Sequence, residues 1–274
     1  MKNKHILLLF LFFLISCGET VTPVDAALDA QIFHFGNGSE PQGLDPHIVT
    51  GVPEHHLLIS MCEGLTIANP KGGENLPGVA ESWTISPDGK TYTFYLNKNA
   101  KWSNGDPLVA GDFVWSWMRI LTPSLGSQYP DMLYYVKGAA EFHQAKTDDF
   151  STVGVKAVND HELQVELKNP TPFFIRLLSH YSTYPVHKET ILKHGSIDDR
   201  NGMWTRPGNF VCNGPMNLKS WELNKQITVE KNPLYWDANK VKLNEIRYYP
   251  VSNESTEDRM FRAGQLHVTS TLPS

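Results

Sequence analysis

The chain has 274 residues, a length that allows about two domains, and 41% of its residues are hydrophobic, which is enough for well-packed cores. Its 24 Lys and Arg residues against 29 Asp and Glu residues give a formal net charge of −5. Because no long basic run accompanies this acidic balance, the composition excludes a typical nucleic-acid-binding protein.

The amino terminus has the pattern of a signal peptide, predicted to cover residues 1–16. Lys2 and Lys4 provide a positive start, and an apolar run follows from residue 6 to residue 15. This run is too short to cross a bilayer as a permanent helix, which needs about 20 residues. We therefore expect the protein to be exported, to the periplasm or the cell surface.

Cys17 follows the apolar run directly, and residues 14–17, Leu-Ile-Ser-Cys, resemble a bacterial lipobox. In that case Cys17 becomes the first residue of the mature protein and carries a lipid anchor, and residues 17–30 form a lipidated tether to the membrane. The alternative is an ordinary signal peptide that is cut near residues 24–27. The lipobox is favoured because a cysteine directly after the apolar run is otherwise an unusual choice.

A short predicted strand, residues 31–35, leads into a loop at residues 38–54 that contains three prolines and three glycines. These residues prevent regular structure in the loop, and a helix is predicted to follow at residues 54–65. A loop built this stiffly often presents groups to a ligand. On residue types alone, the favoured interpretation is that the loop only steers the chain from strand to helix.

Residues 79–119 form a predicted strand, turn and helix unit. Tyr92, Phe94 and Leu96 alternate with more polar residues, which is the period of a strand with one buried face. A Ser-Pro-Asp-Gly turn precedes this strand. Asp112 is predicted to cap a helix whose apolar residues share one face.

Strands and helices alternate through the rest of the chain. The predicted helices are at residues 131–142, 172–178, 188–194 and 255–264, and the predicted strands are at residues 153–158, 163–167, 227–231, 246–251 and 266–269. His161 lies in the tight connection between the first two of these strands. We interpret it as a turn residue rather than as a ligand or a base.

The sequence lacks the residue patterns of common catalytic and metal sites, including G-x-S-x-G, H-E-x-x-H and the phosphate loop. His55 and His56 are neighbours on a predicted helix and do not face one site, so we interpret them as solvated polar residues. Cys62 and Cys212 are interpreted as small buried hydrophobes, with an oxidised pair as the alternative. We expect no enzyme activity, no cofactor and no metal site.

The order of residues in the 79–119 unit carries a family resemblance. ESW, SPDGK, YTFYL, KWSNGDPL, DF and SW follow one another as they do in the signature of the bacterial extracellular solute-binding proteins for dipeptides and oligopeptides. Further matches lie at residues 38–54, 154–167 and 232–237. The resemblance covers nearly all of residues 36–270, and it points in particular to the oligopeptide and murein-peptide binders.

This resemblance implies an α/β fold of the two-lobed periplasmic-binding-protein type II (cluster C-like). The first lobe is expected to be discontinuous, from residues 31–62 and 188–274. Residues 63–187 are expected to form an α/β subdomain inserted into it. The second lobe is expected to be absent from this sequence.

The resemblance also implies a site. In the family the loop that matches residues 38–54 lies against the bound peptide, which points to Thr50, Gly51 and Val52. Thr50 differs from the acidic residue expected there in the relatives. Tyr129 matches the place of a tyrosine in the peptide cleft, although a tyrosine at the edge of a core would give the same pattern.

The implied function is a substrate-binding lipoprotein that captures short peptides outside the cytoplasmic membrane. Its expected partners are the peptide ligand, the permease subunits of an ABC importer and the membrane that holds the lipid anchor. Two alternatives stay open. One is the same fold with another cargo, such as nickel, haem or a sugar; the other is an exported adhesion or signalling lipoprotein.

Overall fold

The structure is a computed structural model that describes residues 21–272. Its α-helices are α1 (Pro23–Ala30), α2 (Val52–Met61), α3 (Ala110–Leu121), α4 (Ala139–His143), α5 (Phe174–Leu177), α6 (Lys188–His194) and α7 (Glu254–Arg262). Its strands are β1 (Ile32–Gly36), β2 (Thr66–Ile67), β3 (Leu76–Pro77), β4 (Ala80–Ile85), β5 (Thr91–Leu96), β6 (Val155–Asn159), β7 (Glu162–Glu166), β8 (Met216–Glu222), β9 (Gln226–Lys231) and β10 (Glu245–Tyr249).

The first sheet joins the amino-terminal strand to the carboxyl-terminal part of the chain, in the order β1-β10-β9-β8. β1 runs parallel to β10, and the other two pairs are antiparallel. Beyond β1, Val268 forms an isolated parallel bridge to Phe35, where a full strand was expected. Leu44 and Val49, in the loop that connects β1 to α2, share a hydrophobic core with Ile227 and Val229 of this sheet.

The second sheet is antiparallel throughout, in the order β4-β5-β7-β6. The alternation predicted for β5 is confirmed, because Tyr92, Phe94 and Leu96 are all buried. Helix α3 buries Phe113 and Trp117 as predicted. Asp112 stabilises the start of α3 from within its first turn, where its carboxylate accepts the Val109 N–H at 2.9 Å.

Two main hydrophobic cores lie in different parts of the chain. One core is built from residues between 65 and 178 around the second sheet and α3. The other combines residues 44–62 with residues 181–248 around the first sheet and α2. We propose that the boundaries near residues 63 and 187 separate two units on this basis.

Residues 23–30 of the expected tether form helix α1. Thr22 caps the helix by accepting the Asp25 N–H at 3.1 Å, and the Val24 N–H donates to the carbonyl of Gly264 at 3.0 Å. Ala27 is buried. Helix α1 therefore contacts the segment that follows α7, whereas the expected signal peptide and Cys17 lie outside the described residues.

The helix predicted at residues 131–142 is shorter than expected. A 3₁₀ turn occupies Pro130–Leu133, and α4 starts only after Gly138. Gly138 has a φ of +73°, and a side chain there would collide with the carbonyl of Thr152. The chain turns sharply at this glycine, which a continuous helix does not allow.

The interpretation of Cys62 and Cys212 as separate thiols is wrong, because the structure contains a disulfide between them. The Gly214 N–H donates to the Met61 carbonyl at 2.8 Å, and the Glu63 N–H donates to Asn213 Oδ1 at 3.1 Å. These bonds align the end of α2 with the segment before β8. Because the two cysteines are 150 residues apart, no local pattern shows this pairing.

Candidate functional site

A buried carboxylate, that of Glu54, binds the backbone of the loop before α2. Glu54, in the first turn of α2, accepts the Gln42 N–H at 2.6 Å and is only 3% exposed. A carboxylate is favourable at a helix amino terminus. Gly51 lies directly over Glu54, and a side chain at residue 51 would collide with that carboxylate. This explains the glycine between the exposed residues Thr50 and Val52.

Three consecutive backbone N–H groups are open at this position. Within residues 21–272, no acceptor lies in hydrogen-bonding range of the N–H groups of Thr50, Gly51 and Val52. Val52 is 65% exposed, and Thr50 is also exposed. The Val52 N–H is one of the first-turn donors that every α-helix leaves unpaired, and together with the donors of Thr50 and Gly51 it can bind carbonyl groups of an extended chain.

Tyr129 lies beside the same segment. Its hydroxyl donates to the carbonyl of Thr50 at 3.4 Å, and Tyr181 donates similarly to the carbonyl of Val49 at 3.1 Å. Tyr129 is half-buried, and its ring packs against the core around α2. The structure thus places Thr50, Gly51, Val52 and Tyr129 together, with Tyr129 both at the edge of a core and at the exposed segment.

Tyr129 also belongs to a cluster of four aromatic rings, which we call the aromatic cluster. Its other members are His180, Tyr181 and His55. The ring centroids are 5.1 Å apart for Tyr129 and His180, 4.3 Å for His180 and Tyr181, and 5.7 Å for His55 and Tyr181. Burial lowers the pKa of His55 and of His180 below the ordinary 6.5. The cluster is therefore uncharged at neutral pH, and it presents flat, partly apolar faces.

A buried ion pair holds the earlier part of the loop. Arg119, on α3, donates from Nη1 to Asp45 Oδ1 at 2.9 Å and from Nη2 to Asp45 Oδ2 at 2.6 Å. His47 Nδ1 lies 3.1 Å from the same guanidinium, and burial, followed by the Arg119 charge, lowers the pKa of His47 to about 4. The loop is thus tied to α3 by a paired, fully desolvated arginine.

Glu63 connects the end of α2 to the 232–237 segment that contributed to the family resemblance. Its carboxylate accepts the Tyr235 hydroxyl at 2.6 Å and the Trp236 Nε1–H at 2.8 Å. Burial raises the pKa of Glu63 to about 7, although both hydrogen bonds oppose this shift. The two aromatic residues of that segment therefore have a structural role as donors to a buried acid.

Sequence reasoning missed Arg119, His180 and Tyr181. A charged residue beside Ile120 on the buried face of α3 is a local signal for Arg119, but its partner Asp45 lies 74 residues away. Nothing local marks His180 and Tyr181, which occupy a 3₁₀ turn and its cap. No group of three or more potential metal ligands occurs within the described residues. In the same part of the chain, no helix is both long enough and apolar enough to span a bilayer.

Comparison with known proteins identifies relatives. Residues 75–274 match the family described as bacterial extracellular solute-binding proteins, family 5 Middle. The periplasmic oligopeptide-binding protein OppA of Escherichia coli is 42% identical over 236 residues, which are 85% of this chain and 42% of the relative. The chain thus spans about half the length of the curated relatives it matches.

Solved structures agree with this assignment. OppA of Burkholderia pseudomallei superposes with a TM-score of 0.84 at 32% identity, covering 90% of this chain and 47% of that one. OppA of Haemophilus influenzae, in complex with the peptide RPPGFSPFR, also gives 0.84, at 37% identity, with 89% and 47% covered. The expected periplasmic-binding-protein fold is confirmed. The chain belongs to the bacterial extracellular solute-binding proteins of family 5.

Proposed function

We propose that this protein captures short peptides outside the cytoplasmic membrane. The observation that carries this proposal is the exposed segment Thr50-Gly51-Val52, with its three unpaired N–H groups beside Tyr129. The family membership supports it, as do relatives named as oligopeptide-binding and dipeptide-binding proteins. These comparisons favour a peptide over nickel, haem or a sugar as the cargo.

The segment suits the main chain of a peptide rather than a particular side chain. An extended peptide that adds a strand obtains affinity from backbone hydrogen bonds, which every peptide offers. Water-filled space around its side chains then tolerates different residues. The aromatic cluster is neutral, so its rings can contact a peptide without favouring charged or uncharged side chains. This agrees with binding that depends on the main chain of the peptide.

The proposal includes delivery of the peptide to the permease subunits of an ABC importer. Support comes from the extracellular solute-binding family itself, whose Escherichia coli member is named as periplasmic. We infer binding without catalysis, since the candidate site consists of backbone donors and aromatic rings rather than a nucleophile with a base.

A lipid anchor at Cys17 is a further part of the proposal, supported by the lipobox-like residues 14–17. Partitioning in Triton X-114 tests it. The parent protein is expected in the detergent-rich phase, and the Cys17→Ala variant in the aqueous phase. A parent that stays in the aqueous phase would contradict the anchor.

Thermal unfolding with candidate ligands tests the cargo. A ligand that binds only the native state raises the apparent free energy of unfolding by RT ln(1 + L/Kd), where L is the free ligand concentration, so above Kd the shift grows with the logarithm of that concentration. The purified protein is screened against di- to pentapeptides, nickel, haem and sugars. Stabilisation by peptides of different sequence supports the proposal, whereas stabilisation by a metal, haem or a sugar alone contradicts it.

A further inference from the structure

A polar cleft of about 560 Å³ opens directly beside Thr50. Its walls come from the loop before α2, from the segment just before Tyr129, and from residues 200–206 with Trp221 of β8. It is therefore continuous with the segment proposed to hold the peptide main chain. The residues that line the cleft all fall within residues 42–221.

Two arginines line this cleft, Arg200 and Arg206. Within the described part of the chain, neither guanidinium lies within 4.0 Å of a carboxylate oxygen, while other arginines, such as Arg119 and Arg262, are paired. Amide and hydroxyl side chains share the lining, among them Gln42, Gln128 and Thr205. We call this space the arginine cleft.

Both arginines have exposed side chains, and each guanidinium makes a contact that favours one position. Arg200 donates from Nη1 to the carbonyls of Leu125 and Gly126, at 2.5 and 2.7 Å, which leaves its Nε and Nη2 donors for other partners. The guanidinium of Arg206 lies 5.7 Å from the ring of Trp221, at cation–π distance. Ordered guanidinium groups lose less conformational entropy when they bind a carboxylate.

The acidic groups described near the arginine cleft accept hydrogen bonds from other residues, and Asp45 is the one among them that is paired with a cation. Asp45 is part of the lining, but both its oxygens accept hydrogen bonds from Arg119. Glu40 lies behind Trp221, where it accepts the Trp221 Nε1–H at 2.6 Å and the Asn224 N–H at 3.0 Å. Glu40 keeps its negative charge, as does Asp199, which lies beside Gly202 and accepts the Asn201 N–H. Within the described residues neither carboxylate lies within 4.0 Å of the Arg200 or Arg206 guanidinium, so both guanidinium groups lack a carboxylate partner.

We propose that the arginine cleft is a carboxylate-binding site. Planar guanidinium groups match a carboxylate through paired hydrogen bonds, and nearby amides and hydroxyls add donors. If the proposed function holds, the carboxylate belongs to the bound peptide, as an Asp or Glu side chain or as the terminal carboxylate. The protein would then favour acidic peptides among the many that its main-chain contacts admit.

The indole N–H signals of Trp204 and Trp221, which both line the cleft, provide a local probe by ¹H–¹⁵N NMR. The purified protein is titrated with N-acetylglutamic acid α-amide, which offers a side-chain carboxylate, and with N-acetylalanine, which offers a terminal one. N-acetylglutamine amide is the neutral control. Saturable shifts with either carboxylate, and not with the neutral amide, support the site and identify the source.

Arg206→Gln should weaken carboxylate binding about tenfold, the usual effect of losing one charged hydrogen bond. Lys98→Gln makes the same change of net charge at an exposed residue that does not line the cleft, and should leave binding unchanged. Unchanged thermal unfolding of both variants shows intact folding. Equal effects of the two variants, equal shifts with the neutral amide, or no shift with any ligand would overturn the inference.

Trialanine amide separates this inference from the proposed function, because it lacks a carboxylate. If it stabilises the protein while the carboxylates leave both indoles unshifted, the arginine cleft is refuted and peptide capture stands. If the carboxylates shift the indoles in an Arg206-dependent way while no peptide stabilises the protein, the cleft is supported and peptide capture is refuted.

Discussion

The hydroxyl of Tyr129 donates to the carbonyl of Thr50 across a distance of 3.4 Å. This bond joins two segments that are 79 residues apart, and it places a half-buried ring next to three open N–H groups. The carbonyl of Thr50 is thus fixed by Tyr129, while the N–H of Thr50 has no acceptor among the described residues. The pair therefore defines the edge of the proposed peptide site.

Tyr129→Ala should weaken peptides of different sequence by similar factors. The expected loss is about 1 kcal/mol, the net value of one hydrogen bond. Tyr129→Phe keeps the ring in the aromatic cluster and removes only the hydroxyl, so it should cause a similar loss if the hydrogen bond is responsible. Isothermal titration with several peptides measures both variants. A loss confined to one class of peptide would instead place Tyr129 in a side-chain pocket.

Asp45→Asn should destabilise the fold by about 3–5 kcal/mol, because it leaves the fully buried Arg119 without a counter-charge. Denaturant unfolding measures the change. Glu166→Gln is the control, since the Lys137–Glu166 pair is 55% and 49% exposed and should contribute at most about 1 kcal/mol. Similar losses for the two variants would show that the Asp45–Arg119 pair does not stabilise the loop.

Replacing both Cys62 and Cys212 by alanine should lower the free energy of unfolding by about 2–4 kcal/mol, because the disulfide closes a long loop of 150 residues. Treatment of the parent with a reductant should shift its unfolding midpoint in the same direction. Alkylation followed by peptide mapping checks the bond itself. Labelling of both cysteines in the native, unreduced protein would contradict the disulfide.

Glu63 should make stability depend on pH. Its pKa is raised from 4.5 to about 7 by burial, so between these values the folded protein holds a proton that the unfolded chain has lost. The free energy of unfolding therefore falls as pH rises through this window, by at most about 3 kcal/mol. The contribution is fully present below pH 4.5 and is lost above pH 7.

Glu63→Gln should remove this slope while its amide retains contact with Tyr235 and Trp236. His47 has the opposite influence, since its pKa is lowered to about 4 and its contribution is lost as pH falls. Because His47 is present in both proteins, its effect cancels in the difference. Denaturant unfolding near pH 4.5 and near pH 7 gives that difference, and parallel pH profiles would contradict the role of Glu63.

Local patterns predicted the elements with one clearly buried face. The alternation around Phe94 identified β5, and the helical spacing of Phe113 and Trp117 identified α3. Strand β8 was missed because most of its residues are only partly buried, so its hydrophobic residues do not alternate cleanly. A strand with two half-exposed faces gives little periodic signal.

The candidate site could not be predicted from the spacing of residues in the sequence. Thr50, Gly51, Val52 and Tyr129 were named through family resemblance, since residue types alone favoured a loop that only steers the chain. The pairs Asp45–Arg119 and Cys62–Cys212 join residues 74 and 150 positions apart. Such contacts arise from the packing of the two sheets and their helices, so only a three-dimensional structure shows them.

Peptide capture is the central claim, and isothermal titration tests it most directly. The purified protein is titrated with trialanine amide and with other neutral tripeptide amides of different sequence, because each offers the same peptide main chain. We expect saturable binding of every one of these peptides. Absence of binding for all of them would contradict peptide capture.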